Sequence, residues 1–410
     1  MMPQETDPPS TGAPSARARY RGCLLGGALG DALGAGVEFL SLREIRRRHG
    51  ESGVTELVPA YGRIGAITDD TQMTLFTAEG LIRAWVSCKW QGSGHPPSVV
   101  WHAYLRWLHT QGGRARSAAE EERAGGGARE AADEVQSFTE RESFPDGWLV
   151  GESFLHQRRA PGNTCLSALR SGRMGSVDRA INDSKGCGGV MRAAPAGLVE
   201  SDRGLVELGC GEGEVDGAFE LGVDIAAITH GHPSGYLPAG VVAATVQQLV
   251  HGVPLDVALD AARALLPGRA RHQETLAALD RARAVAARGP VTPERLEALG
   301  GGWVGEEAMA IAVAAALAFQ DDPPRALLAA VSHSGDSDST GSLCGQILGA
   351  RWGEAVWPEA WLNALEGRES IVRLADDLHD EVHGSRPQPA EAPGEVSEGW
   401  ELWRRRYPAW

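Results

Sequence analysis

Two acidic turns, separated by most of the chain, constrain this sequence more than any other feature. The first is Thr68-Asp69-Asp70-Thr71, and the second is Gly335-Asp336-Ser337-Asp338-Ser339-Thr340-Gly341. Each runs into an apolar helical pattern, Met73, Phe76, Leu81, Ile82 and Trp85 after the first and Leu343, Ile347 and Leu348 after the second. Aspartate is an ordinary helix cap, so Asp69 or Asp70 is expected to cap the next helix, and one member of the pair could simply be solvated. Adjacent like charges repel, however, and a cation between them removes the conflict. Carboxylates and hydroxyls at about 2.1 Å suit magnesium or manganese. One turn offers too few oxygens to close such a site, so the fold is expected to bring the two turns together.

The composition points to closely approaching helices. Among 410 residues there are 53 glycines and only 6% aromatics. The net charge of −15 argues against non-specific binding to nucleic acid or an acidic membrane, either of which wants a positive field. The six cysteines include no C-x-x-C pair and read as reduced, mostly buried side chains. No signal-peptide pattern is visible, and the apolar run 308–319 is shorter than the roughly 20 residues that span a bilayer. A cytoplasmic, soluble protein is the expectation, with a monomer as the default.

Along the chain, residues 1–15 are rich in Pro, Thr, Ser and Gly and are expected to be disordered. A helical pattern runs from Ala18 to Leu33 despite Gly22, Gly26, Gly27, Gly30 and Gly34. Each glycine costs a helix about 1 kcal/mol, which is tolerable where a neighbouring backbone or ligand must come close. No phosphate-loop pattern is present. Glu38 follows, by position alone an ordinary surface glutamate. A short helix is expected over 42–49 and another over 98–109. Residues 111–140 lack large aliphatics and read as a surface insertion.

The segment 182–195 carries Gly186, Gly188 and Gly189, whose backbone can offer several amides at once. Arg192, in apolar surroundings, needs a partner such as a ligand phosphate or a buried carboxylate. Helices are then expected over 216–229, 234–251, 254–265, 270–288, 291–298, 303–319 and 323–331, with one or two more over 358–381. His230 and His232 flank Gly231 at a helix joint, where histidine is more often structural. Asp376, Asp377, His379 and Asp380 read as a solvated face. A tether over 384–398 leads to 399–410, whose aromatic residues suggest docking on the body.

Collected in order, these motifs resemble the ADP-ribosylglycohydrolase family, which includes the dinitrogenase-reductase-activating glycohydrolase and the ADP-ribosylarginine hydrolases. The resemblance rests on Gly30-Asp31-Ala32-Leu33-Gly34 with Glu38, on Thr68 to Met73, and on Gly188-Gly189-Val190-Met191-Arg192 with Pro195. Thr229-His230-Gly231-His232-Pro233, the second acidic turn and Arg406-Tyr407-Pro408 complete it. It implies one all-α domain over 16–383 holding two Mg²⁺ or Mn²⁺ ions, with Thr68, Asp69, Asp70, Asp336, Asp338 and Ser339 as ligands. Gly186, Gly188, Gly189, Arg192 and His232 would contact substrate. Asp69 is expected to activate water, with Asp70 and Glu38 next in line.

The implied activity is hydrolysis at C1″ of ADP-ribose attached to a protein side chain, arginine favoured, or to a small molecule. Cleavage of O-acetyl-ADP-ribose, another metal-dependent phosphoester or ester hydrolysis, and a non-catalytic ADP-ribose-binding or structural role are the alternatives. Both acidic turns are intact, which favours catalysis.

Overall fold

In the computed structural model, which describes residues 12–91, 94–116, 120, 144–199, 215–387 and 397–409, the apolar side chains of many helices share one continuous core. The first group comprises α1 (Ala16–Gly34), α2 (Leu42–His49), α3 (Asp69–Gln91), α4 (Pro96–Thr110), α5 (Asn163–Arg170) and α6 (Ala194–Leu198). Then come α7 (Val215–Ala227), α8 (Pro233–Val250), α9 (Leu255–Leu265), α10 (Gln273–Ala287), α11 (Pro293–Glu297) and α12 (Gly305–Ala318). The last are α13 (Pro323–Val331), α14 (Ser337–Trp352), α15 (Glu359–Ala364), α16 (Arg368–Val382) and α17 (Glu398–Arg406). Among the described residues the strands are one antiparallel pair, Pro59–Ala60 and Arg63–Ile64. The all-α expectation is met. No described helix is long and apolar enough to cross a membrane.

The contact between α1 and α14 positions the site. The two helices run antiparallel at a separation that only glycine permits. A Cβ on Gly22, Gly26 or Gly30 would collide with the carbonyl oxygen of Gly349, Gly345 or Gly341 respectively. This register sets the C-terminal end of α1 against the N-terminal end of α14, where Gly34 abuts Asp338. The chain then leaves α1 in a tight turn, with the Glu38 N–H donating to the Gly34 carbonyl at 2.9 Å. Glu38 therefore arrives beside the second acidic turn.

Asp31, fully buried on α1, ties down the first acidic turn. Its carboxylate accepts the N–H groups of Thr68 at 2.9 Å and Thr71 at 3.1 Å, and the Thr71 hydroxyl at 2.5 Å. A single helix thus fixes both turns, by backbone contact on one side and by a carboxylate on the other.

Two local expectations are corrected. Asp69 and Asp70 do not cap α3; they are its first residues, and the Thr68 hydroxyl accepts the Asp70 N–H at 3.3 Å. The acidic stretch of α16 is not a solvated face. Asp376 pairs with Arg21, Asp380 with Arg17, and buried Asp377 accepts the Tyr407 hydroxyl at 2.8 Å and Arg406 at 2.7 Å. Trp400, Trp403 and Tyr407 are buried against the body, and Trp403 Nε1 donates to Glu381 at 3.0 Å. Residues 1–11, most of 111–140 beyond residue 116, and 388–396 lie outside the described residues, as does Cys210. None of the other five cysteines is in a disulfide.

Candidate active site

Between the acidic turns lies a cavity of about 350 Å³, a volume in the small-molecule range. Its walls include Glu38, Asp69, Asp70, Asp336, Asp338 and Ser339, and among the described residues no lysine or arginine lines it. Ligand oxygens of Glu38, Asp336 and Asp338 lie within 4.8 Å of one another. Carboxylates this close do not all ionise without a counter-charge.

Burial first, then the charges of Asp338 and Asp336, pushes Glu38 up to about 10. Burial and Asp338 push Asp31 up to about 7. The same two causes hold Asp69, Asp70 and Asp336 well above the usual carboxylate range. Glu38 Oε2 and Asp70 Oδ1 are buried with no hydrogen-bond partner. Such orphaned oxygens are costly, and a hard divalent cation is the group this donor set fits.

Other polar groups orient the carboxylates. Asp69 Oδ2 accepts the Gly162 N–H at 3.2 Å, and Asp338 Oδ1 accepts the Ser339 N–H at 3.0 Å. The Cys187 thiol donates to Asp336 Oδ2 at 2.8 Å, and burial pushes that thiol well up, so it sits there neutral. Residues 300–304 link the two halves of the wall. The Asp336 N–H donates to the Gly301 carbonyl at 2.9 Å, and the Cys187 N–H to the Trp303 carbonyl at 3.2 Å.

The glycine-rich run and the histidine joint meet at the far wall. A Cβ on Gly186 would lie 3.2 Å from His230 Nε2, and one on Gly188 3.1 Å from its Cε1, so glycine lets the imidazole face this loop. Arg192 Nη2 donates to Thr229 Oγ1 at 2.6 Å, and Thr229 Oγ1 lies 2.8 Å from His230 Nδ1. Burial, with Arg192 nearby, pushes His230 down to about 3, so it faces the cavity as a neutral imidazole.

Of the residues singled out from sequence, Glu38, Asp69, Asp70, Asp336, Asp338, Ser339, Gly186 and Gly188 line the cavity. Thr68 is fully buried, its hydroxyl accepting the Asp70 N–H, and Gly189 faces the Gly235 carbonyl. His232 caps α8, its Nδ1 accepting the Ser234 N–H at 3.0 Å, while His230 lines the cavity. Arg192 is fully buried away from it. Its partners are neither phosphate nor carboxylate but the Thr229 hydroxyl, the Ile225 carbonyl, two sulfurs and the Tyr104 ring face at 4.2 Å. Asp31, Cys187, Phe39 and Trp303 were not singled out. Asp31 sits inside a quoted motif, and Trp303 follows Gly300-Gly301-Gly302, a glycine run that signals close backbone approach.

The helical body and its carboxylate-lined cavity define the class of protein, and the comparisons give its family. The profile of the ADP-ribosylglycohydrolase family matches residues 13–388, and the chain belongs to that family. An uncharacterised protein of Archaeoglobus fulgidus is 27% identical over 376 residues, spanning 88% of this chain and 96% of the relative. A solved structure described as an ADP-ribosylglycohydrolase-related protein complex superposes with a TM-score of 0.53. It is 23% identical, covering 90% of this chain and 99% of its own, and it shows the shared fold. Membership points to a hydrolase of the ADP-ribosylglycohydrolase type.

Proposed function

We propose that this protein hydrolyses the glycosidic bond at C1″ of ADP-ribose carried by a protein side chain, arginine favoured, or by a small molecule, and releases ADP-ribose. The observation that carries the reading is the convergence of Glu38, Asp336 and Asp338 within 4.8 Å in the cavity that also holds Asp69 and Asp70. Two Mg²⁺ or Mn²⁺ ions would be held by Asp69, Asp70, Asp336, Asp338 and the hydroxyls of Ser339 and Thr68, with Glu38 beside them. When bound, such ions supply Lewis-acid charge to the ribose hydroxyls and to the attacking water.

The chain's own residues do the rest. Asp69, held by the Gly162 N–H, takes the proton of the attacking water; Asp70 and Glu38 are next in line, because carboxylates this close titrate together. The ring of carboxylates stabilises the positive charge that develops on the ribose as the bond to the leaving group breaks. His230 and the glycine-rich run around Gly186 and Gly188 line the part of the cavity that would take the remainder of the ligand.

The test is release of free ADP-ribose from ADP-ribosyl-arginine, ADP-ribosyl-serine and O-acetyl-ADP-ribose, with magnesium, manganese or chelator. One substrate should turn over only with metal, and Asp338→Asn should slow it by about 100-fold or more. Metal-dependent binding of ADP-ribose without turnover would instead make the protein a binding member, and absence of both would end the assignment.

A further inference from the structure

Beside the carboxylates, the cavity mouth is aromatic. Phe39 and Trp303 both line it, yet they are 66% and 44% exposed. Their rings are stacked, with centroids 5.4 Å apart and planes 20° from parallel. Few large apolar side chains are exposed elsewhere among the described residues, and Tyr61 and Ile64, from the small hairpin preceding the first acidic turn, are two of them.

Phe39 is held outward by its backbone. Its φ is 66°, a left-handed conformation that a bulky residue adopts only when its surroundings hold it there. The same turn that delivers Glu38 to the cluster, closed by the Leu40 N–H on the Val37 carbonyl at 2.9 Å, sends the next side chain to the mouth. Trp303 is fixed as firmly, its carbonyl held by the Cys187 N–H and its ring lying against Gly301. Phe39 directly follows Glu38, and the Trp303 segment is tied to the second acidic turn by the Asp336 N–H on the Gly301 carbonyl, so both rings are placed by the framework of the site.

Building on the hydrolase reading above, we propose that Phe39 and Trp303 form a stacking platform that selects a planar, cationic leaving group, the guanidinium of an arginine side chain. Three observations converge on that chemistry. Among the described residues the cavity is lined by carboxylates and by no lysine or arginine, so a positive leaving group is favoured over an anionic one. Stacked rings offer a flat face, and a guanidinium is both flat and cationic. The site already uses this contact nearby, where the Arg159 guanidinium lies 5.5 Å from the centre of the Tyr61 ring. An ammonium or an uncharged ester would gain less from such a face.

The experiment compares wild type, Phe39→Ala, Trp303→Ala and Trp303→Phe. It measures KM for ADP-ribosyl-arginine and Ki for free ADP-ribose, which lacks the leaving group. Each alanine variant is expected to raise KM about 3- to 10-fold while Ki stays within about twofold, and Trp303→Phe should recover most of the loss. A parallel rise in Ki would show that the rings shape the cavity or hold the ADP-ribose body, and would overturn the proposal; so would an unchanged KM. If wild type releases ADP-ribose from ADP-ribosyl-serine but not from ADP-ribosyl-arginine, the hydrolase reading stands and the platform proposal falls. Release from neither of these nor from O-acetyl-ADP-ribose overturns both.

Discussion

His230 illustrates how one side chain acquires a role from its surroundings. The Thr229 hydroxyl, itself held by Arg192, lies against its Nδ1, and burial keeps it neutral. Because its folded value is about 3 against an ordinary 6.5, the unfolded chain binds the extra proton between those pH values. Stability therefore rises with pH across that window, and this contribution is lost as pH falls from 6.5 towards 3. At about 1.4 kcal/mol per unit, the full effect is a few kcal/mol. Urea unfolding of His230→Gln between pH 4 and 7 should show a shallower acid limb than wild type; parallel curves would refute the assignment. At this scale the sequence was only partly legible. The pattern His-Gly-His marks a joint, but both histidines carry the same signal, and only the entry angle of α8 makes His232 the cap and leaves His230 to the cavity.

Among the elements, α1 and α14 decide where the carboxylates stand. Their contact is backbone on backbone, so a single methyl has nowhere to go. Gly30→Ala or Gly345→Ala is expected to destabilise the protein by about 1–3 kcal/mol or more. Gly268→Ala, at a position with open space around its Cβ, should stay within about 0.5 kcal/mol. Chemical denaturation checks both, and equal effects at the three positions would contradict the close-approach argument. The glycine series of α1 was readable in advance, because glycine inside a helix is unfavourable enough to need a reason. Its partner was not: Gly341, Gly345 and Gly349 look like tolerated substitutions until the antiparallel register pairs them with Gly30, Gly26 and Gly22.

For the whole molecule, the acidic cavity is a repulsive feature that the fold holds together. The core and the buried tail helix keep five carboxylates converging on one small space. A cation that binds only the folded state returns stability by mass action, about 2.7 kcal/mol at 100 times its dissociation constant. For a chain of this length that corresponds to a rise in Tm of about 3 °C. Calorimetry should show this with magnesium or manganese and lose it with chelator. Asp338→Asn should be at least as stable as wild type without metal, since one repelling charge is gone, and should lose the metal-induced rise. A metal-induced rise that survives in this variant would place the cation elsewhere.

The sequence by itself determined the helices and the two acidic turns. Periodicity and capping act over a few residues, so 42–49 and 323–331 could be placed to the residue, and the order of the motifs already carried the family resemblance. Only the tertiary structure decided which carboxylates share a cavity, that Asp31 anchors the first turn, that Arg192 is spent on Thr229, and that Phe39 and Trp303 meet. Those outcomes depend on how closely two backbones approach and in what register, and that distance is set by contacts between residues far apart in the chain.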